Sequence, residues 1–169
     1  MADSVAQQIG VVHSCLRKMI DWFPQTVWER IEPAPEAGQP PLTCTLGGNG
    51  VFSGLALRPG EDWLLRTSLD VPAEAGGVAL AGEPLEGTLF SLYPTRITHK
   101  GRALFDEGGV PVASGPARFE IVPRLREGDN GPIELRICVP KHQVTNWFNF
   151  RLNTPSQRAS STQKFRSRL

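Results

Sequence analysis

The most regular apolar pattern lies at the front of the chain. Val5, Ile9, Val12, Leu16, Met19 and Phe23 recur at alternating intervals of four and three. That spacing lays one apolar seam along an α-helix. Gln7, Ser14, Arg17, Lys18 and Asp21 form the polar opposite face. Ser4 with Gln7 reads as a capping box at the start. Pro24 disfavours helical geometry at Phe23 and ends the helix there. The pattern predicts an amphipathic helix over residues 4–23, packed on its own domain or paired with a partner or a second copy. Alone, three heptads make a marginal coiled coil.

A short helical turn is expected around Thr26–Ile31, completing an N-terminal helical segment over residues 1–32. The stretch PAPEAGQPP, residues 33–41, then reads as an extended Pro-rich linker. Short apolar runs follow, separated by turn sequences. The runs are Leu42–Leu46, Val51–Leu57, Asp62–Val71, Gly87–Tyr93, Thr95–Phe105, Ala117–Val122 and Ile133–Val139. GGNG, RPGE, AEAGG, EGG and EGDNG punctuate them. In Ala117–Val122, Phe119 and Ile121 alternate with Arg118 and Glu120. In Ile133–Val139, Ile133, Leu135, Ile137 and Val139 alternate with Glu134, Arg136 and Cys138. Such strands have one wet face and one buried face, as in antiparallel sheets. The expected fold is mainly β: an antiparallel sandwich or barrel of about seven strands, with its body at residues 42–140.

Residues 141–169 read as a C-terminal arm and basic tail. In VTNWFNFRL, Val144, Phe148, Phe150 and Leu152 follow a period of two, which favours a strand or a docked extended arm. After Asn153 only Phe165 and Leu169 are large and apolar, so a flexible, disordered tail is expected.

Composition supports this punctuation. The chain has 17 glycines and 15 prolines in 169 residues, above the average combined share of about 12%. The net charge of +1 conceals an asymmetry: seven basic residues and no acid follow Glu134. The body is mildly acidic and the end basic. Cys15, Cys44 and Cys138 are odd in number and widely spaced, a poor disulfide framework and a fit to free thiols. The first residues, MADSVAQQIG, lack the charged and apolar regions of a signal peptide. No run approaches a membrane span. A cytoplasmic location is the expectation.

Candidate chemistry is sparse. GGNGVFSG, residues 47–54, has Ser53 where a dinucleotide fingerprint needs glycine, and strand-like sequence follows it. It reads as a hairpin turn. Among His13, Cys15, Cys44, His99, Cys138 and His142 no pair has zinc-site spacing, so no metal and no cofactor is expected. There is no nucleophile elbow. His99, beside Lys100, reads as a surface residue on a solvated face. No carboxylate pair is singled out, and the reading leans away from an enzyme without excluding one.

What remains are the two ends. The expected function is a non-enzymatic protein-interaction or assembly module, with a protein partner or a homo-oligomer. Its contact residues would be Val5, Ile9, Val12, Leu16, Met19 and Phe23 in the helix. In the arm and tail they would be Trp147, Phe148, Phe150, Arg151, Arg158, Lys164, Arg166 and Arg168. The basic and aromatic residues of the tail also permit nucleic-acid binding, through phosphate neutralisation and base stacking. An enzyme with a site assembled across strands is the third alternative.

Overall fold

Along TVWERIE the side chains alternate in burial: Thr26 and Trp28 are buried, while Val27 and Glu29 are exposed. That is the signature of a strand with one wet face, and residues Thr26–Glu32 form β1 of the computed structural model. The structure describes residues 23–107, 115–142 and 148–159. The expected helical turn at Thr26–Ile31 is therefore corrected to a strand. The predicted helix over residues 4–23 lies outside the described residues, apart from Phe23.

β1 pairs antiparallel with β2 (Thr43–Leu46), so the Pro-rich stretch joins two neighbouring strands of one sheet. The other strands are β3 (Phe52–Ser53), β4 (Asp62–Val71), β5 (Glu74–Ala75), β6 (Val78–Ala79), β7 (Leu85–Ser91), β8 (Thr95–His99), β9 (Arg102–Glu107), β10 (Ala117–Val122), β11 (Gly128–Cys138) and β12 (Phe148–Asn153). A seven-stranded sheet runs β3-β2-β1-β4-β11-β8-β9 and a three-stranded sheet runs β10-β7-β12. β5 and β6 form a small separate hairpin. All described pairings are antiparallel.

β4 and β11 form the centre of the large sheet, with Leu65 opposite Leu135 and Thr67 opposite Ile133. Their inward residues Leu65, Leu69, Ile133, Leu135 and Ile137 are fully buried. Burying one such side chain stabilises by about 1.5–3 kcal/mol. The outward residues form a charged ladder: Arg66 with Glu134, Arg136 with Glu32, and Arg96 with Asp106.

The inner faces of the two sheets meet over a run of aromatic rings. Phe105 of β9 stacks on Phe119 of β10 at 5.8 Å, and Phe119 stacks on Phe150 of β12 at 6.3 Å. Phe150 meets Trp28 edge-on, and Trp28 meets Phe52 edge-on. Gly87 of β7 makes room for the run, because a Cβ there would lie 2.6 Å from the Phe119 ring. One margin of the sandwich is nearly closed. GGNG is a hairpin turn, and the Gly50 carbonyl accepts a hydrogen bond from the Phe150 amide. Gly50 has φ +80°, and a Cβ there would meet Arg151 and Asn149 at 2.5 Å.

Three further expectations are corrected. Thr95–Phe105 is two strands, because Lys100 and Gly101 both take positive φ, 50° and 78°, as a two-residue hairpin turn requires. His99 follows Thr95 and Ile97 on the inward face of β8 and is buried, with its Nε2–H donating to the Asn130 carbonyl at 2.9 Å. The chain after Asn153 does not at once lose structure. Residues 155–159 form a helical turn. The Thr154 hydroxyl accepts from the Gln157 amide at 3.3 Å, and Gln157 Oε1 accepts from the Thr154 amide at 3.0 Å. That is a reciprocal capping box, with Pro155 at the first helical position.

Candidate functional site

Two regions lie at opposite ends of β1, a crevice at its start and a cavity beyond its end. At its start, Phe23 is buried in the core. It lines a crevice with Pro24, Thr26, Leu46, Gly47, Gly48 and Leu152. Phe23 thus anchors the point where segment 1–22 joins the body, next to the last strand. The helical turn after β12 docks on β7 and the residues leading into it: Arg158 forms an ion pair with Glu86, and the Ser156 amide donates to Glu83 Oε2 at 3.4 Å.

This end gathers several of the residues singled out in the sequence. Phe150 is wholly buried. Phe148 is half-buried, with its ring 6.1 Å from Phe52. Arg151 Nε donates to the Asn49 carbonyl and to Asn149 Oδ1, each at 3.2 Å. Arg158 is engaged by Glu86. The aromatic residues serve the core, and these two arginines hold the arm to the body. Val5, Ile9, Val12, Leu16, Met19, Trp147, Lys164, Arg166 and Arg168 lie outside the described residues.

Beyond the other end of β1 the large sheet outruns the small one. A cavity of about 470 Å³ opens there, lined by residues of β1, β2, β4 and the connections 33–42 and 54–61. None of its lining residues belongs to the three-stranded sheet. Arg30 and Trp63 line it, and the guanidinium lies 5.1 Å from the centre of the indole ring. Arg30 faces inward because it stands opposite Leu65, and directly opposed residues share a face. Sequence reasoning missed Arg30. Its signal was the parity it shares with Trp28, legible only once the segment is read as a strand.

Cys44, on β2, also lines this cavity, and burial pushes its thiol up to about 11. It is a neutral thiol at physiological pH and a poor nucleophile. Cys138, on the outer face, is also raised, first by burial and then by the nearby Asp62 carboxylate. The Glu32 hydrogen bond raises Arg136. Among the described residues no group of three or more His, Cys, Asp or Glu side chains could hold a metal ion. No described helix is long and apolar enough to cross a membrane. Comparison with protein-family models, with curated proteins and with solved structures finds no match to this chain.

Proposed function

We propose that the chain is a non-enzymatic protein-interaction or assembly module, whose contacts are made by the N-terminal segment and the C-terminal arm. One observation carries the reading. Phe23 and Leu152 line the same crevice, so the two segments join the β body side by side. An apolar helical seam at residues 4–23 and a basic tail would then be presented from one end, as a single composite surface. The body supplies the base for it, its two sheets tied at this margin by the bond from the Phe150 amide to the Gly50 carbonyl.

Charge recognition through the tail is less well supported as the main activity. Arg151 and Arg158 are engaged within the body. That leaves Lys164, Arg166 and Arg168 for a phosphate backbone, and so few contacts give weak, steeply salt-dependent binding. For the reading as an enzyme, His99 would be the first candidate base, and it is buried in the core with its Nε2–H held by the Asn130 carbonyl.

The test is the mass of the full chain in solution, beside Leu16→Asp, which places a charge in the apolar seam. A multiple of the 18.5 kDa chain mass that falls to one chain in the variant supports the reading. So does a protein partner retained by the wild type and lost by the variant. A single-chain mass for both, with no partner sensitive to the substitution, overturns it.

A further inference from the structure

The chain has two Asn-Gly pairs, Asn49-Gly50 and Asn130-Gly131. In such a pair the glycine amide nitrogen can attack the asparagine side-chain carbonyl carbon, because glycine has no side chain to block the approach. The fold holds the two pairs differently. Asn130 is 5% exposed. Its Oδ1 accepts from the Arg126 amide, and its Nδ2 donates to the carbonyls of Arg126 and Gly128. The Gly131 amide donates to Asp129 Oδ1 at 2.7 Å. Nucleophile, carbonyl and leaving group are all restrained.

Asn49 sits half-buried in the turn between β2 and β3, on an open groove of about 220 Å³ that it shares with Gln25, Thr45 and Ser53. Its Oδ1 accepts from the Val51 amide at 3.1 Å. That bond folds the side chain back along the turn and closes a ring containing both Asn49 Cγ and the Gly50 nitrogen. The Asn49 Nδ2 makes no hydrogen bond with the described residues. One further bond restrains the pair, from the Gly50 amide to the Gly47 carbonyl at 2.9 Å.

We propose that Asn49 is a site of spontaneous covalent modification, and that its rearranged product loosens the C-terminal arm. The Gly50 nitrogen bonds to Asn49 Cγ as the Cγ–Nδ2 bond breaks, and the Gly50 amide proton leaves with the amine as ammonia. The product is a cyclic imide. Solvent water opens it at either carbonyl. Opening at the side-chain carbonyl gives aspartate on an unchanged backbone. Opening at the main-chain carbonyl gives isoaspartate, in which the chain runs through Cγ and is longer by one atom.

The position gives the second product its consequence. The Asn49 carbonyl accepts from Asn149 Nδ2 at 3.0 Å and from Arg151 Nε at 3.2 Å, and the Gly50 carbonyl accepts from the Phe150 amide at 3.0 Å. These bonds tie the turn to β12. Gly50 has no slack, since even a Cβ there would meet Arg151 and Asn149 at 2.5 Å. An extra backbone atom displaces both carbonyls and releases the arm. The modification does not depend on assembly.

The experiment ages the full chain in neutral buffer, native and in guanidinium chloride. Mass spectrometry of proteolytic peptides follows the change from amide to acid, and chromatography separates isoaspartate from aspartate. Native Asn49 should convert about tenfold or more faster than native Asn130, because more hydrogen bonds must open at Asn130. In denaturant the two rates should converge and exceed the native ones. Hydrogen exchange then compares the isoaspartate form with the fresh chain and with Asn49→Asp. Exchange across β12 should be faster in the isoaspartate form alone. Equal native rates at Asn49 and Asn130 overturn the site. So does a native chain that leaves Asn49 intact while the denatured chain converts it. Unchanged β12 exchange in the isoaspartate form overturns the consequence. Should Asn49→Asp fail to fold, the plain aspartate product of the aged chain takes its place.

Discussion

Arg30 and Glu32, two residues apart on one strand, point to opposite faces of the large sheet. Strict alternation would put them on the same face, close enough to pair. The extra residue Ile31 breaks the alternation, so that Glu32 stands opposite Leu64 and bonds Arg136. Arg30 stays inward over Trp63. A charge on the buried side of a sheet normally has a partner. Here the ring face of Trp63 supplies attraction without a hydrogen-bond acceptor.

Arg30 therefore contributes little to folding. Arg30→Met should leave stability unchanged or raise it by up to about 2 kcal/mol, because an unmatched buried donor costs about 1–3 kcal/mol and the ring contact returns about 0.5–1. Urea denaturation measures this. A loss above about 2 kcal/mol would show that the guanidinium is structural.

Gly87 lies beneath the Phe119 ring, and Gly50 is wedged against Arg151 and Asn149 at positive φ. Gly87→Ala and Gly50→Ala should each cost about 1–3 kcal/mol, by overpacking in the first case and by backbone strain with a clash in the second. Thermal melting reads both. A neutral Gly87→Ala would mean that the aromatic run shifts freely.

Asn130 organises the turn before the long part of β11. Its Oδ1 accepts from the Arg126 amide at 2.8 Å, and its Nδ2 donates to the carbonyls of Arg126 at 2.7 Å and Gly128 at 2.9 Å. Asn130→Ala removes all three and leaves backbone groups unmatched. A loss of about 2–3 kcal/mol is expected in urea denaturation, and a loss under about 0.5 would contradict the account.

The capping box fixes the turn that carries Arg158 to Glu86. Thr154→Ala should cost about 1 kcal/mol. It should also speed amide exchange over residues 155–159 more than in β12. Equal exchange in both proteins would show that the turn holds without its cap.

The Cys44 thiol gives a pH dependence. Its value in the folded chain, about 11, lies above the ordinary thiol range near 8.5. The folded state thus holds the proton more tightly than the unfolded state. Its contribution is fully present below the ordinary thiol range and is lost as pH rises towards 11. Between about pH 8 and pH 10.5 the wild type should lose more stability than Cys44→Ala. Parallel losses would place the alkaline titration elsewhere.

Much of the sandwich is legible in the sequence where alternation is clean. Asp62–Val71 and Ala117–Val122 are read to the residue, because their apolar positions alternate and turn sequences bound them. β1 is not legible. Its inward arginine breaks the apolar alternation, and the bulge at Ile31 shifts the parity. The hairpin at Lys100 was hidden because a lysine occupies the positive-φ position that glycine or asparagine usually marks. Thr154-Pro-Ser-Gln is a readable cap, overlooked because it leads only a single turn. The cavity had no linear signal: Arg30, Leu42 and Trp63 come from three segments that only the β1–β2 and β1–β4 pairings bring together.

The central claim is that contacts form at the end where Phe23 meets Leu152. Hydrogen exchange on the full chain, compared with Leu16→Asp under assembling conditions, tests it most directly. The account predicts slower exchange in the wild type around residues 23–26 and 150–154, with β8 and β9 unchanged. Protection confined to β8 and β9, or no difference between the two proteins, would contradict it.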